Sequence, residues 1–150
     1  MRSFLVVMDG TEQALSALRF AARRAARTGG TVDILALVPQ AEFSHWGAVQ
    51  AAMEEEARLR AEAMVAQASS AIAEEAGIKP SITVKQGDPV KAINEMLKER
   101  DDIALLVLGA GETEPGPLIT HFAGAVAGTL PCPLVIVPAQ LSEEALDRLN

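Results

Sequence analysis

Two stretches of this 150-residue chain bring together residue types that could hold a polar or anionic ligand. The first, Asp9-Gly10-Thr11, follows an apolar run and joins a carboxylate, a glycine and a hydroxyl. The second reads Gly109-Ala-Gly-Glu-Thr-Glu-Pro-Gly-Pro-Leu-Ile-Thr120-His121. In it Gly109, Gly111 and Gly116 permit close backbone approach, Thr120 supplies a hydroxyl, and His121 could neutralise a phosphate. Glycine-rich turns that open a helix cradle anions with their backbone amides. The same residues also fit a purely structural role, with the glycines as turn formers, Asp9 bonding amides at a strand end and His121 packing or capping. Both readings stay open on residue type alone.

Other chemistries are excluded more firmly. No G-x-x-x-x-G-K-[ST] occurs, so there is no P-loop, and the first apolar run ends in Asp9-Gly10 without the glycine trio of a dinucleotide fingerprint. His45, His121 and the lone Cys132 form neither a triad nor a metal-ligand spacing, so no catalytic and no metal residue is assigned. A single cysteine also rules out an internal disulfide and fits a reducing, cytoplasmic compartment. The net charge of −7, from 13 basic and 20 acidic side chains, argues against a nucleic-acid partner. No apolar run approaches the ~20 residues needed to span a bilayer, so no membrane partner is expected.

The elements that must position these residues follow from periodicity. Five short apolar runs, Phe4–Met8, Val32–Val38, Ile82–Val84, Ile103–Leu108 and Leu134–Val137, are mostly continuous, which predicts strands covered on both faces. Helical stretches lie between them. The first has Thr11 as N-cap and Gly29-Gly30 as its stop, with Leu15, Leu18, Ala22 and Ala25 as the apolar stripe. Arg19, Arg23 and Arg27 form a second stripe, read as a solvated face. The second helix is expected from Val49 to Ala76, ended by Gly77, with Glu54, Glu55 and Glu56 in its early turns. The third is capped by Asp88 with Pro89 at its first position. Gly124 and Gly128 interrupt the fourth, Leu118–Leu130, in which Phe122, Ala125 and Val126 are expected to pack inward, and a last helix starts at Ser142. Such alternation requires right-handed crossovers and a parallel, doubly wound, Rossmann-like sheet with helices on both faces, forming one domain over 1–150. Ligands of that layout sit beyond the carboxyl ends of the strands, which directs attention to Asp9–Thr11, Val38–Trp46, Gly87-Asp88 and Gly109–Thr120.

Across essentially the whole chain these pieces resemble the universal stress protein family. Phe4-Leu-Val-Val-Met-Asp-Gly-Thr11 resembles its opening strand and acidic turn, and Val84-Lys-Gln-Gly-Asp-Pro-Val-Lys-Ala-Ile93 its glycine-aspartate-proline helix start. Ile103-Ala-Leu-Leu-Val-Leu-Gly109 resembles its fourth strand, Gly109–Gly116 the start of its glycine loop, and Pro131-Cys-Pro-Leu-Val-Ile-Val-Pro138 its last strand. The resemblance implies a five-stranded parallel sheet in the order 3-2-1-4-5, of the adenine nucleotide alpha-hydrolase-like type. It also implies a homodimer joined through Leu134 to Val137, a stress-response binding or signalling module, and an adenine nucleotide, ATP, ADP or AMP, held by Asp9, Gly10, Thr11, Val38, Gly109, Gly111, Gly116, Thr120 and His121. One departure matters. ATP-binding relatives carry G-x2-G-x9-G followed by Ser or Thr, and here the second glycine falls on Glu112. Glu112 and Glu114 place negative charge where a triphosphate would sit, which favours AMP, an adenosine-like ligand or no cofactor at all. The alternative function is a homodimeric interaction module without nucleotide; weak ATP hydrolysis ranks last.

Overall fold

The computed structural model describes residues 2–38, 47–76 and 78–150. His45, Trp46 and Gly77 lie outside the described residues. Five strands, β1 (Ser3–Met8), β2 (Thr31–Val38), β3 (Ser81–Gln86), β4 (Ile103–Ala110) and β5 (Leu134–Pro138), form one all-parallel sheet in the order β3-β2-β1-β4-β5. Helices α1 (Glu12–Thr28), α2 (Gly47–Ala76), α3 (Pro89–Glu99), α4 (Pro117–Phe122) and α5 (Glu143–Leu149) connect or follow them.

The alternation of side chains along a strand divides the core in two. Phe4, Val6 and Met8 of β1 face the alanine-rich side of α1 and the Ala68 and Ile72 side of α2. Leu5 and Val7 face Ile93, Met96 and Leu97 of α3 and Ile119 and Phe122 of α4. Alanines at 14, 17, 21, 22 and 25 let α1 lie close to the strands, so Thr11 caps the helix at one end and Gly29, with φ +72°, releases it at the other. Asp88 accepts from the Val90 amide at 3.0 Å and Pro89 follows it, as the dipeptide predicts. Ser142 likewise caps α5.

The structure departs from the sequence expectations in four places. β3 is an edge strand and is largely exposed, Val84 being 51% accessible, so it is not covered on both faces. The fourth helix stops at Phe122, and Ala127–Thr129 forms only a 3₁₀ turn; between them Gly124, a poor helix former, lies too close to the Thr120 carbonyl for a side chain. Phe122 is buried and Val126 packs in part, whereas Ala125 is exposed. The arginine stripe is not simply solvated: Arg19 pairs with Glu143 of α5 at 3.1 Å, Arg23 pairs with Asp147, and Arg27 alone of the three is exposed.

A polar cluster closes the amino end of the sheet. Asp33 on β2 is buried, accepts from the Ser3 hydroxyl, and receives both Arg100 amino groups at 3.2 and 3.0 Å. Arg100, at the end of α3, also donates to Asp102 at 2.9 and 2.7 Å. These bonds hold the Asp102 carboxyl below the usual carboxylate range. Burying a carboxylate is costly unless it is paired, so Asp33 depends on its fork to Arg100.

Arg100→Ala is expected to destabilise the fold by about 2–3 kcal/mol, less than the ~3–5 for breaking a fully buried pair, because the Arg100 side chain is 35% exposed. For a chain of this size the melting temperature should fall by roughly 5–10 °C in calorimetry. Asp102→Ala, at the exposed end, should cost less. Because folding lowers the Asp102 pKa, the unfolded chain takes up that proton first. The Asp102 contribution is therefore intact above about pH 5 and fades as pH falls below about 4, and this part of the acid sensitivity should vanish in Arg100→Ala.

Candidate functional site

The chain order places β1 at the point where the sheet reverses, with β2 and β3 built to one side and β4 and β5 to the other. The carboxyl ends of β1 and β4 therefore diverge and leave a crevice. Asp9, Thr11, Gln13, Gly109, Pro115 and Gly116 line a cavity of about 90 Å³ there, floored by Val7, Leu108 and Ile119.

Glycine shapes both walls. Gly10 turns the chain at φ +86°, a conformation that favours glycine, and so the chain passes from β1 into α1 in three residues. At Gly109 the reason is contact: a Cβ there would lie 2.0 Å from the Gln13 carbonyl oxygen. Gly111 behaves similarly, its missing Cβ standing 2.2 Å from the Glu114 carbonyl oxygen, and its N–H donates to the Pro115 carbonyl at 3.3 Å. Gly116 has φ +102° and opens α4 with Pro117 behind it.

The polar groups are largely committed to one another. Asp9 Oδ1 accepts from the Thr11 hydroxyl at 2.6 Å and from the Thr11 amide at 3.2 Å, while the same hydroxyl accepts from the Ala14 amide at 3.3 Å. The Thr120 hydroxyl donates to the Gly116 carbonyl at 3.2 Å. His121 stands edge-on to Phe122, ring centroids 4.9 Å apart. Glu112 and Glu114 are exposed on the loop.

Of the residues expected at the site, Asp9, Thr11, Gly109 and Gly116 share this cavity. Gly10 faces Met64 of α2, and Gly111 and Glu112 border a neighbouring hollow with Ile136 and Pro138. Thr120 and His121 sit on α4 away from the cavity lining. Val38 is buried and lines a different, larger hollow of about 770 Å³ with Ala57, Ala61, Val65 and Val84. Sequence reasoning missed Gln13, whose backbone meets Gly109; its place in the first turn after Thr11 was the available signal. Burial raises the Cys132 thiol above its ordinary pKa, so it stays protonated at neutral pH.

The family model described as "Universal stress protein family" matches residues 1–138. Among solved structures, universal stress protein UspA from Lactobacillus plantarum is 20% identical, with a TM-score of 0.73 over 91% of this chain and 97% of that one. The universal stress protein from Archaeoglobus fulgidus in complex with dAMP is 20% identical, with a TM-score of 0.64 over 91% and 97%. A universal stress protein family protein from Arabidopsis thaliana with AMP bound is 15% identical, with a TM-score of 0.61 over 96% and 95%. No curated protein matches by sequence.

Gly109→Ala is expected to destabilise the fold by at least about 1–3 kcal/mol, because its methyl can be accommodated only by moving α1 off β4. Gly128→Ala, where a Cβ meets nothing within 4 Å, should stay within about 0.5 kcal/mol. Thermal denaturation of the two variants side by side separates a contact requirement from a general preference for glycine.

Proposed function

Because the chain belongs to the universal stress protein family, we propose that it is a stress-response binding module that takes an adenine mononucleotide or adenosine at the crevice between β1 and β4. The observation that carries this reading is the shared cavity of Asp9, Thr11, Gly109 and Gly116 at the point where strand order reverses. Relatives of the same fold were solved with dAMP and AMP. The second oxygen of Asp9 is the natural acceptor for a ribose hydroxyl or adenine amine. With Glu112 and Glu114 on the loop, each added phosphate raises the repulsion, so the preferred ligand carries little charge. Ligand pockets commonly run to ~300–1,000 Å³. A cavity of about 90 Å³ would enclose only part of such a ligand. The role is binding without turnover, exercised in the cytoplasm; no helix among the described residues is long and apolar enough to cross a membrane.

A second observation concerns assembly. β5 has a neighbour on one side only, and Ile136 is 42% exposed beside the half-buried Leu134 and Val135. An open apolar edge invites pairing, and we propose a homodimer through Leu134–Val137.

Thermal unfolding with ATP, ADP, AMP and adenosine tests the first reading. AMP or adenosine at ~100 times its dissociation constant contributes about 2.7 kcal/mol, a rise of several degrees, and ATP should give less. Asp9→Ala should remove the rise; no shift with any of the four would refute nucleotide binding. For the dimer, sedimentation of Ile136→Lys should show monomers where the unmodified chain shows dimers. A variant that remains dimeric would move the interface elsewhere.

A further inference from the structure

The arginines of α1 meet a partner within their own chain. Four of the 13 basic residues, Arg19, Arg23, Arg24 and Arg27, fall within nine positions of a protein whose net charge is −7. Arg19 and Arg23, one helical turn apart, are matched by Glu143 and Asp147, one turn apart on α5. Arg23 also donates to the Glu143 carbonyl at 3.3 Å. The fit is that of one helix reading another, with acid and base in register at i and i+4.

The hold on α5 is slight. It has seven residues, and Leu146 is its one buried side chain, against seven buried residues in α1. Glu143 and Asp147 are 74% and 72% exposed, so salt screens both pairs. With α5 in place the Arg23 side chain is only 14% exposed, so the arginine is covered while the acids that pair with it stay in water. Residues 139–150 also lie beyond the span that the family model matches. Elements with few buried contacts and open hydrogen bonds are the ones that detach first.

We propose that the Arg19–Arg23 face of α1 is a docking surface for an acidic helix of a partner protein, and that α5 is an internal stand-in that occupies it until displaced. The surface recognises two carboxylates one turn apart with a leucine beside them, the pattern that α5 itself presents as Glu143, Leu146 and Asp147. A partner helix that adds a turn, and so reaches Arg27, outcompetes the seven-residue α5. The site is separate from the β1–β4 crevice and stands whether or not that crevice binds a nucleotide.

The probe is a labelled synthetic peptide of residues 139–150, measured by fluorescence anisotropy against two forms of the full chain. The unmodified protein should bind it weakly, because the surface is filled. A released form carrying Glu143→Lys, Leu146→Ala and Asp147→Lys should bind at least tenfold more tightly, and adding Arg19→Glu with Arg23→Glu should return binding to the unmodified level. No gain on release, a gain indifferent to the arginine reversals, or equal competition by a single-stranded DNA of the same charge would each overturn the proposal. Amide exchange on the unmodified chain gives a reading that needs no variant. The α5 amides should exchange at least tenfold faster than those of residues 17–25, and faster again in 500 mM than in 50 mM sodium chloride. Protection of α5 equal to that of α1 would make it a permanent part of the fold and end the proposal.

Discussion

The fold turns on one close approach, that of the first turn of α1 to the end of β4. The Gln13 carbonyl occupies the space in which any side chain at position 109 would lie. That contact sets the position of the α1 N-terminus, and with it Thr11 and the Asp9 carboxylate that Thr11 holds. It also sets the depth of the crevice, since Val7, Leu108 and Gly109 form its floor and near wall. The alanine face of α1 then follows: a helix seated this near the sheet buries mainly methyl groups and Leu18, while the larger Leu15 and Phe20 pack against the core only in part.

The opposite end of the sheet is fixed by a different kind of interaction. Apolar packing is non-directional and tolerates sliding, whereas Asp33 accepts only where Ser3 and Arg100 can reach it. Three segments far apart in the chain, the starts of β1 and β2 and the end of α3, are thereby brought to one point. Thus the carboxyl end of the sheet is positioned by backbone contact through glycine, and the amino end by a buried ionic fork. Register between them is transmitted by the strands, whose side chains alternate between two separate cores.

What was legible in the sequence was whatever depends on near neighbours. Continuous apolar runs marked the strands, Asp88-Pro89 marked the start of α3, and Gly29 ended α1. Features that require a partner from elsewhere were not legible. Asp33 reads as a polar residue in a strand until Arg100, 67 positions on, is placed beside it. The third run reads like the others, and its exposure follows from lying at the sheet edge, which no local pattern states. Gly109 was singled out as a glycine that could admit a ligand, and the structure shows it admitting the first turn of α1; the two requirements leave the same mark in a sequence. The arginine stripe was misread for the same cause: its spacing is that of a solvated face, and only the tail that folds back upon it makes it an interface.

The character of the crevice follows from how fully its groups are already satisfied. Oδ1 of Asp9 accepts two hydrogen bonds from Thr11, and the Thr11 hydroxyl is spent between Asp9 and the Ala14 amide. The Thr120 hydroxyl returns to its own helix. A ligand therefore gains little by replacing these bonds, because each exchange trades one neutral or charge-assisted contact for another of similar worth. What it can add is contact with the unused Asp9 oxygen and with the apolar floor. A highly charged ligand would face Asp9 in the cavity, with Glu112 and Glu114 exposed on the adjoining loop and no cation among the described residues that line the cavity. On the function proposed above, each phosphate added to an adenine compound therefore adds repulsion from this acidic loop before shape is tested.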